Sequence, residues 1–304
     1  MSGSTGRAAG APADTAAGTR SVPRVLSIAG TDPTGGAGIQ ADLKSIAANG
    51  GYGMAVVTAL VAQNTHGVRA IHTPPVSFLA EQLDAVSDDV QIDAVKIGML
   101  GRADVAAAVT AWLDRVRPPA VVLDPVMVAT SGDRLLDAAA EDAVRDLLHR
   151  ADLVTPNLPE LAALLGTGEA GSWTEALEQA QALAARHRVL VLAKGGHLAA
   201  DAGSPDALVS AAGPVTEVRT PRVQTANTHG TGCSLSSALA TLYPRLGSWE
   251  AALRAAKDWL QEALQHADEL HVGSGHGPIH HFHGVWERGL AGPLRAAASE
   301  GTSR

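Results

Sequence analysis

The segment VLSIAGTDPTGGAGIQADLKSIAAN (residues 25–49) contains the features that decide the fold class. The apolar run Val25–Ala29 lacks polar alternation, which predicts a strand buried on both faces. A glycine-rich turn follows the run, and the amphipathic stretch Ala37–Asn49 predicts a helix. A buried strand, a glycine-rich turn and a helix in this order are typical of a parallel sheet covered by helices.

The same alternation continues along the chain. Further strands are predicted at Ala55–Leu60, Ala94–Ile97, Ala120–Leu123, Leu153–Thr155, Val189–Ala193, Ala207–Ser210 and Thr216–Arg219. Further helices are predicted at Val76–Asp88, Asp104–Val116, Ala138–His149, Pro159–Leu165, Thr174–His187, Ser234–Tyr243 and Trp249–Glu269. The last two strands lie about a hairpin apart, which indicates an antiparallel edge. The pattern predicts an α/β domain with a mostly parallel central sheet.

The composition excludes several classes of protein. The chain has 304 residues, of which 46% are hydrophobic and 18% charged, so it can bury a sizeable core. Its net charge of -8 leaves no global basic footprint for nucleic acid. No apolar run approaches the roughly 18 residues that span a bilayer, so no membrane contact is expected. The single cysteine, Cys233, excludes an intramolecular disulfide and suits a cytoplasmic location.

The two ends of the chain differ from its centre in composition. Residues 1–21 contain almost no large apolar side chain, which predicts a disordered N-terminal extension. They also lack the apolar core of a secretory signal. Residues 289–304 are similar in composition and predict a flexible C-terminal tail. With no internal repeat and no linker between these ends, residues 22–288 are expected to form one domain.

The sharpest motif is TANTHGTGCSLSSALA (residues 225–240), where a helix is predicted to start near Cys233. Gly230 and Gly232 allow a tight backbone turn, and unpaired N–H groups at a helix N-terminus attract anions such as phosphate. The same position favours a thiolate at Cys233, because helix N-termini lower the pKa of a thiol. The alternatives are a glycine turn capped by Thr231 and a buried structural cysteine.

Acidic and basic side chains follow the later strands. Asp124 ends an apolar strand and Glu160 begins the next helix, so the two carboxylates together could hold Mg²⁺ as phosphoryl transfer requires. The alternatives are a turn or cap residue at Asp124 and a helix-dipole partner at Glu160. Lys194 is one of only four lysines, and its place between an apolar run and two glycines is unusual for a surface lysine.

Two other patterns carry less weight. Gly166–Gly171 matches G-x-G-x-x-G but follows a helix, so it is not a dinucleotide fingerprint, and no Walker A motif occurs. The histidines gather late in the chain, at His271, His276, His280, His281 and His283. Their spacing matches no zinc template, and a glycine-rich turn ending in a packed histidine is the favoured interpretation.

Taken in order, these motifs resemble one family. The resemblance is carried by AGTDPTGGAGIQADLK (29–44), ALVAQNTHGV (59–68), KIGMLG (96–101), VVLDPVMVATSGDRLL (121–136), TPNLPE (155–160), KGGH (194–197), NTHGTGCSLSSALA (227–240) and GPIHHFH (277–283). Together they resemble the hydroxymethylpyrimidine/phosphomethylpyrimidine kinases of thiamine biosynthesis over roughly residues 24–286. The resemblance implies a ribokinase-like three-layer α/β/α fold, a homodimer, and two ATP-dependent phosphorylations of 4-amino-5-hydroxymethyl-2-methylpyrimidine.

The resemblance also implies roles for individual residues. It implies that the pyrimidine is held by Gly30, Asp42, Gln63, Met99 and Val126. It implies an anion hole at Gly230, Thr231 and Gly232, with Cys233 as the base that accepts the substrate hydroxyl proton. It implies that ATP is bound by Asn157, Lys194 and Thr225, and Mg²⁺ by Asp124 and Glu160.

Three alternatives and one departure remain. Certain pyridoxal kinases share the G-T-G-C form, so phosphorylation of pyridoxal or pyridoxine is the closest alternative. A thiol hydrolase built on Cys233 would need His229 or another histidine as its base, and a non-catalytic regulator would bind the pyrimidine without ATP turnover. The departure is Thr130, where the family usually has lysine in a loop that can contact substrate phosphate. It bears on the second phosphorylation.

Overall fold

The computed structural model describes residues 22–127, 138–196, 198 and 203–290. Its strands are β1 (Arg24–Ala29), β2 (Tyr52–Val57), β3 (Leu60–Asn64), β4 (Gly67–His72), β5 (Ala94–Ile97), β6 (Val121–Leu123), β7 (Leu153–Val154), β8 (Leu190–Lys194), β9 (Gly203–Ser210) and β10 (Gly213–Pro221). Its helices are α1 (Gly38–Ala48), α2 (Val76–Ser87), α3 (Ala103–Val116), α4 (Ala138–Leu147), α5 (Leu158–Leu165), α6 (Trp173–His187), α7 (Thr231–Leu246), α8 (Trp249–Gln265) and α9 (His283–Leu290).

The central sheet has eight strands in the order β10-β9-β8-β7-β6-β5-β1-β2. The pairs from β2 to β8 are parallel, whereas β8 with β9 and β9 with β10 are antiparallel. The mostly parallel sheet and its antiparallel edge confirm the fold expected from the sequence. The chain leaves β1 for β2 on one side and returns to β5 on the other, so a topological switch point lies between β1 and β5.

Strands β1 and β5 to β9 each contribute side chains to two separate cores. Leu26, Val95 and Val121 belong to the core formed with α2 to α6. Their chain neighbours Val25 and Val122 belong to the core formed with α1, α7 and α8. Because successive side chains of a strand point to opposite faces, an apolar strand with no alternation supplies both cores at once. The result is the three-layer α/β/α arrangement.

One element differs from the sequence-based expectation. The apolar run Ala55–Leu60 predicts one strand, but β2 ends at Val57 and a separate two-stranded sheet, β3–β4, begins at Leu60. Thr58 marks the break, because its N–H donates to the Ala29 carbonyl and its hydroxyl to the Met99 carbonyl. These bonds end the strand although the apolar run continues.

Several sequence-based expectations lie at the limits of the described residues. Residues 1–21 and Thr130 fall outside them, and so does most of the predicted tail at 289–304. Residues 289 and 290 are the last two of α9, so that helix runs two residues past the predicted domain end at 288. In the described part of the chain, no helix is both long enough and apolar enough to cross a membrane.

Candidate active site

A cleft of about 980 Å³ opens at the carboxyl ends of the parallel strands. Its walls come from the residues that follow β1, β5, β6 and β8, from the start of α5 and from the first turn of α7. This is where ligands bind in open parallel sheets, beside the switch point between β1 and β5. Of the predicted site residues, those in the cleft are Gly30, Gln63, Met99, Asp124, Val126, Asn157, Glu160, Lys194, Gly230, Thr231, Gly232 and Cys233.

The glycine-rich loop after β1 is organised by a side chain that the sequence analysis did not single out, Asp32. One carboxylate oxygen accepts bonds from the N–H and hydroxyl of Thr34, and the other accepts from the N–H groups of Gly36 and Ala37. Burial alone would raise the pKa of Asp32. The bonds from His229 and Thr34 outweigh burial, and this pKa lies below its ordinary value.

The first turn of α7 has no side-chain cap. Gly230 is the N-cap residue, with a φ of 78°, whereas Thr231 donates its hydroxyl to the Thr228 carbonyl instead of capping the helix. The interpretation of this motif as a turn capped by Thr231 is therefore wrong. The N–H groups of Gly232 and Cys233 belong to this uncapped turn, which is the arrangement that binds anions at helix starts.

The charge state of Cys233 differs from the sequence-based expectation. The thiol stands in the first turn of α7, but burial raises its pKa to about 11. The charge of Lys96 and the N–H of Gly38 act in the opposite direction without cancelling burial, and the carboxylates of Asp42 and Asp124 add to the rise. The expected thiolate is therefore a thiol at neutral pH, because desolvation outweighs the helix terminus.

Asp124 and Lys194 form an ion pair at the floor of the cleft. Lys194 Nζ lies 3.3 Å from Asp124 Oδ1, and the hydroxyl of Thr155 donates to the same oxygen at 3.0 Å. Burial would raise the pKa of Asp124, but the charges of Lys194 and Lys96 hold it below its ordinary value. A Cβ at Gly232 would lie 3.4 Å from Lys194 Nζ and 3.9 Å from Asp124 Oδ2. The ion pair therefore adjoins the first turn of α7.

Glu160 has a structural role as well as a place in the cleft. It forms a capping box with Asn157: each backbone N–H donates to the other residue's side chain, at 2.8 and 2.9 Å. Burial raises the pKa of Glu160 to about 7, and nearby Asp124 adds to the rise while Lys194 opposes it. Glu160 therefore stabilises the start of α5, as its alternative interpretation as a partner of the helix terminus expects, and it also lines the cleft.

Apolar side chains and one amide line another part of the cleft. Met99 packs with Ala59 and Val61, and Val126 lies against this cluster. Gln63 projects from β3, and its Nε2 donates to the Thr31 carbonyl at 3.3 Å. An apolar surface beside an amide that both donates and accepts suits an aromatic heterocycle with ring nitrogens.

Asp42 is a correction to the predicted pyrimidine site. Its side chain is fully buried and does not line the cleft. Lys96 Nζ lies 2.7 and 2.9 Å from its two oxygens, and the hydroxyls of Ser27 and Ser237 also donate to them. A carboxylate with all these partners is structural, and it joins α1 to β1, β5 and α7.

Thr225 is a correction to the predicted ATP site. It does not line the cleft, and its hydroxyl donates to Asp268 while accepting from the N–H of Asn227. Arg222, three residues earlier, does line the cleft, and it donates to the carbonyls of Gly196 and Leu198. The late histidines also make ordinary packing contacts, with His281 bonded to Ser234 and His283 to Glu262.

Residues 32–280 match the family model described as phosphomethylpyrimidine kinase. The chain belongs to this family. The matched region includes the cleft residues from Ala37 to Leu264 and most of both cores, and it confirms the resemblance inferred from the motifs.

Curated relatives in the phosphomethylpyrimidine kinase family include proteins of two lengths. The chain is 53% identical over 262 residues to the hydroxymethylpyrimidine/phosphomethylpyrimidine kinase of Salmonella typhimurium, which covers 86% of this chain and 98% of that protein. It is 59% identical over 263 residues to a thiamine biosynthesis multifunctional protein of Corynebacterium glutamicum. That match covers 86% of this chain but 34% of the relative, so the chain spans about a third of the multifunctional protein.

Solved structures of the same fold include a second enzyme class. An ADP complex of Bacillus subtilis pyridoxal kinase superposes with a TM-score of 0.79 at 29% identity, covering 86% of this chain and 98% of that one. The phosphomethylpyrimidine kinase of Clostridium difficile has a TM-score of 0.69 at 33% identity, covering 80% and 99%. These neighbours confirm the ribokinase-like fold.

Proposed function

We propose that this protein transfers the γ-phosphoryl group of ATP to the hydroxyl of 4-amino-5-hydroxymethyl-2-methylpyrimidine, and a second phosphoryl group to the resulting monophosphate. The observation that carries the proposal is the meeting of three kinds of group in one cleft. These are the uncapped first turn of α7, the Asp124–Lys194 ion pair with Glu160, and the apolar surface beside Gln63. Identities of 53% and 59% to relatives of thiamine biosynthesis support the same substrate.

Each part of the cleft has a distinct task in this reaction. Met99 and Val126 would hold the pyrimidine ring by packing, and Gln63 would pair with its nitrogen and amino groups. The N–H groups of Gly232 and Cys233 would stabilise the charge on the transferred phosphoryl group, as oriented donors do in other anion holes. Lys194 would face the phosphates of ATP, since its ammonium adjoins the first turn of α7.

The reaction moves one proton and one phosphoryl group. The substrate hydroxyl oxygen bonds to the γ-phosphorus while the bond from that phosphorus to the bridging β–γ oxygen breaks, and ADP leaves. Cys233 Sγ accepts the hydroxyl proton, which requires the thiolate form. Because burial raises the pKa of Cys233 to about 11, only a small fraction of the enzyme carries this base at neutral pH.

Asp124 and Glu160 fit a role in binding Mg²⁺. Both carboxylates line the cleft, and the raised pKa of Glu160 reflects burial together with repulsion by Asp124, which a cation would relieve. The described residues contain no group of three histidine, cysteine or acidic side chains able to hold a metal. Two carboxylates still suffice for Mg²⁺, which is usually completed by substrate phosphates and water. The ion would neutralise charge on the phosphates.

A panel of acceptors tests the proposed function. ADP release is followed in a coupled assay with the hydroxymethylpyrimidine, pyridoxal, pyridoxine or no acceptor. We expect the pyrimidine to give the highest kcat/KM and the reaction without acceptor to give almost none. Preference for pyridoxal would favour the alternative kinase, and pyrimidine binding without ADP release would favour a regulator. The homodimer and the cytoplasmic location stay predictions, which a sedimentation experiment and cell fractionation would test.

A further inference from the structure

A buried carboxylate joins two loops that both line the cleft. Asp32 is fully buried, and its Oδ2 lies 2.8 Å from Nε2 of His229, a residue 197 positions later in the chain. The same oxygen accepts hydrogen bonds from the N–H groups of Gly36 and Ala37. One carboxylate therefore fixes the glycine-rich loop after β1 and connects it to the segment that leads into α7.

The backbone and the ring of His229 are both held in place by the fold. Its backbone N–H donates to the Gly277 carbonyl at 3.0 Å, and its ring lies against Gly36, where a Cβ would come 2.5 Å from Cδ2. The ring is therefore aimed at Asp32 by the fold and not by contact with a ligand. The next residue, Gly230, is the N-cap of α7.

The two joined loops serve different parts of the proposed reaction. The loop after β1 lies on the pyrimidine side, where Gly30 adjoins Met99 and Thr31 accepts a bond from Gln63. The segment after His229 forms the anion hole. Phosphoryl transfer needs the acceptor hydroxyl in line with the γ-phosphorus, and a misplacement of about 1 Å costs about 10²-fold in rate. The rate of phosphoryl transfer therefore depends on the distance between the two loops.

We propose that Asp32 and His229 form a positioning pair that keeps the pyrimidine-binding loop in register with the anion hole. This inference rests on the proposed function. The pair acts through the backbone of Gly36 and Gly230, which touch each other directly, and it contributes no group to the transferred phosphate. His229 is thus a positioning residue and not the base that a thiol hydrolase would require.

Two substitutions of the same length separate the hydrogen bond from the shape of the side chain. His229→Gln places an amide N–H near the position of the imidazole Nε2, so it can still donate to Asp32. His229→Met has the same reach and no donor. We expect kcat to fall by about 10²-fold in His229→Met with little change in pyrimidine Kd, and most of the kcat to return in His229→Gln. If His229→Met does not fold, the shorter His229→Asn provides the non-bonding variant.

A matched histidine gives the control. His266 Nδ1 lies 2.7 Å from Glu269 Oε1, so His266→Met, which has no donor, breaks a histidine–carboxylate pair of similar length outside the cleft. Its kcat should equal that of the wild type. Equal kcat in His229→Met and wild type, equal loss in His229→Met and His229→Gln, or a loss confined to pyrimidine Kd would each overturn the proposal.

Hydrogen exchange supplies a measurement that does not depend on the substrate. The N–H groups of Gly36 and Ala37 should exchange faster in His229→Met than in His229→Gln, with no ligand added, because Asp32 loses the bond that orients it. Unchanged exchange of these N–H groups would overturn the proposal that Asp32 and His229 form a positioning pair. If the exchange rates change as expected but the wild type phosphorylates no pyrimidine, the proposed function is wrong. The positioning of the two loops by Asp32 and His229 is then still supported.

Discussion

Gly230 packs so closely against Gly36 that a Cβ at residue 230 would lie 1.7 Å from the Gly36 carbonyl oxygen. Gly230 also has a φ of 78°, in the left-handed region. The start of α7 and the glycine-rich loop after β1 therefore meet backbone to backbone. Only glycine satisfies both conditions, since any side chain would push the two loops apart.

The two ends of α7 offer a direct comparison. Gly247, the C-cap, has a φ of 67° and no atom within 4 Å of an added Cβ. Gly247→Ala should lower the free energy of unfolding by about 1–2 kcal/mol through left-handed strain alone, with normal turnover. Gly230→Ala carries the same strain and a backbone clash, so we expect a further loss of at least about 2 kcal/mol and no activity. Urea unfolding measures both variants. Equal losses would show that the two loops can separate freely.

Cys233 is the only cysteine in the chain, so thiol chemistry reports on it without interference. Its pKa of about 11 predicts slow alkylation by iodoacetamide at neutral pH, with a rate that still rises above about pH 10. An ordinary exposed thiol would reach its plateau near pH 9.5 to 10, about one unit above its pKa. A plateau there in the native enzyme would contradict a raised pKa of the Cys233 thiol.

The buried ion pair between Lys96 and Asp42 should influence the titration of the Cys233 thiol. Lys96 favours the thiolate, so Lys96→Met should raise the pKa of Cys233 further and slow alkylation at a given pH. The variant leaves Asp42 without its ion-pair partner and should lose about 3–5 kcal/mol of stability. Lys257→Met is the matched control, because it breaks another buried pair, with Asp206 at 2.9 Å. Alkylation that slows equally in both variants would exclude a specific effect of Lys96.

Glu160 combines a cap with a buried charge, and two substitutions separate these roles. Glu160→Gln keeps a side chain able to complete the capping box, so stability at about pH 4.5 and below should change little, while turnover at neutral pH falls. Glu160→Ala loses the cap as well and should cost about 1 kcal/mol more in unfolding free energy. Thermal unfolding and ADP release measure the two effects. Full turnover in Glu160→Gln would show that the carboxylate is not needed.

The raised pKa of Glu160 also fixes the sign of a pH effect. In the folded state the pKa is about 7, above the ordinary value of 4.5, so the native state binds more protons than the unfolded state between these values. This contribution to stability is fully present below about pH 4.5 and is lost as the pH rises through about 7. The stability of the wild type relative to Glu160→Gln should therefore fall over this interval. A rise would contradict the direction of the shift.

Much of the fold follows from local sequence patterns. Apolar runs without alternation specify strands such as Ala94–Ile97, whose predicted and observed bounds coincide. The break at Thr58 could not be predicted, because it depends on carbonyls of Ala29 and Met99 that only the folded sheet brings near. Beyond this break the chain forms the separate β3–β4 hairpin, which a single strand over Ala55–Leu60 does not predict.

The candidate site was predictable to the extent that it follows strand ends and a helix start. Asp124, Lys194 and the Gly230–Gly232 turn all met this condition, and all line the cleft. The thiolate at Cys233 was not a safe inference, because burial is a property of the whole fold. Asp32 stands within the opening glycine-rich segment, but its bond to His229 joins distant parts of the chain and leaves no local signal.

The central claim is the transfer of phosphoryl groups to the pyrimidine, and phosphorus NMR of a single reaction tests it most directly. The enzyme is mixed with ATP, Mg²⁺ and the hydroxymethylpyrimidine, with Cys233→Ala in a parallel tube. We expect a phosphate monoester signal followed by that of a diphosphate ester, and a rate about 10²–10⁴-fold lower in Cys233→Ala. Inorganic phosphate as the only product, or no product while pyridoxal is phosphorylated under the same conditions, would contradict the account.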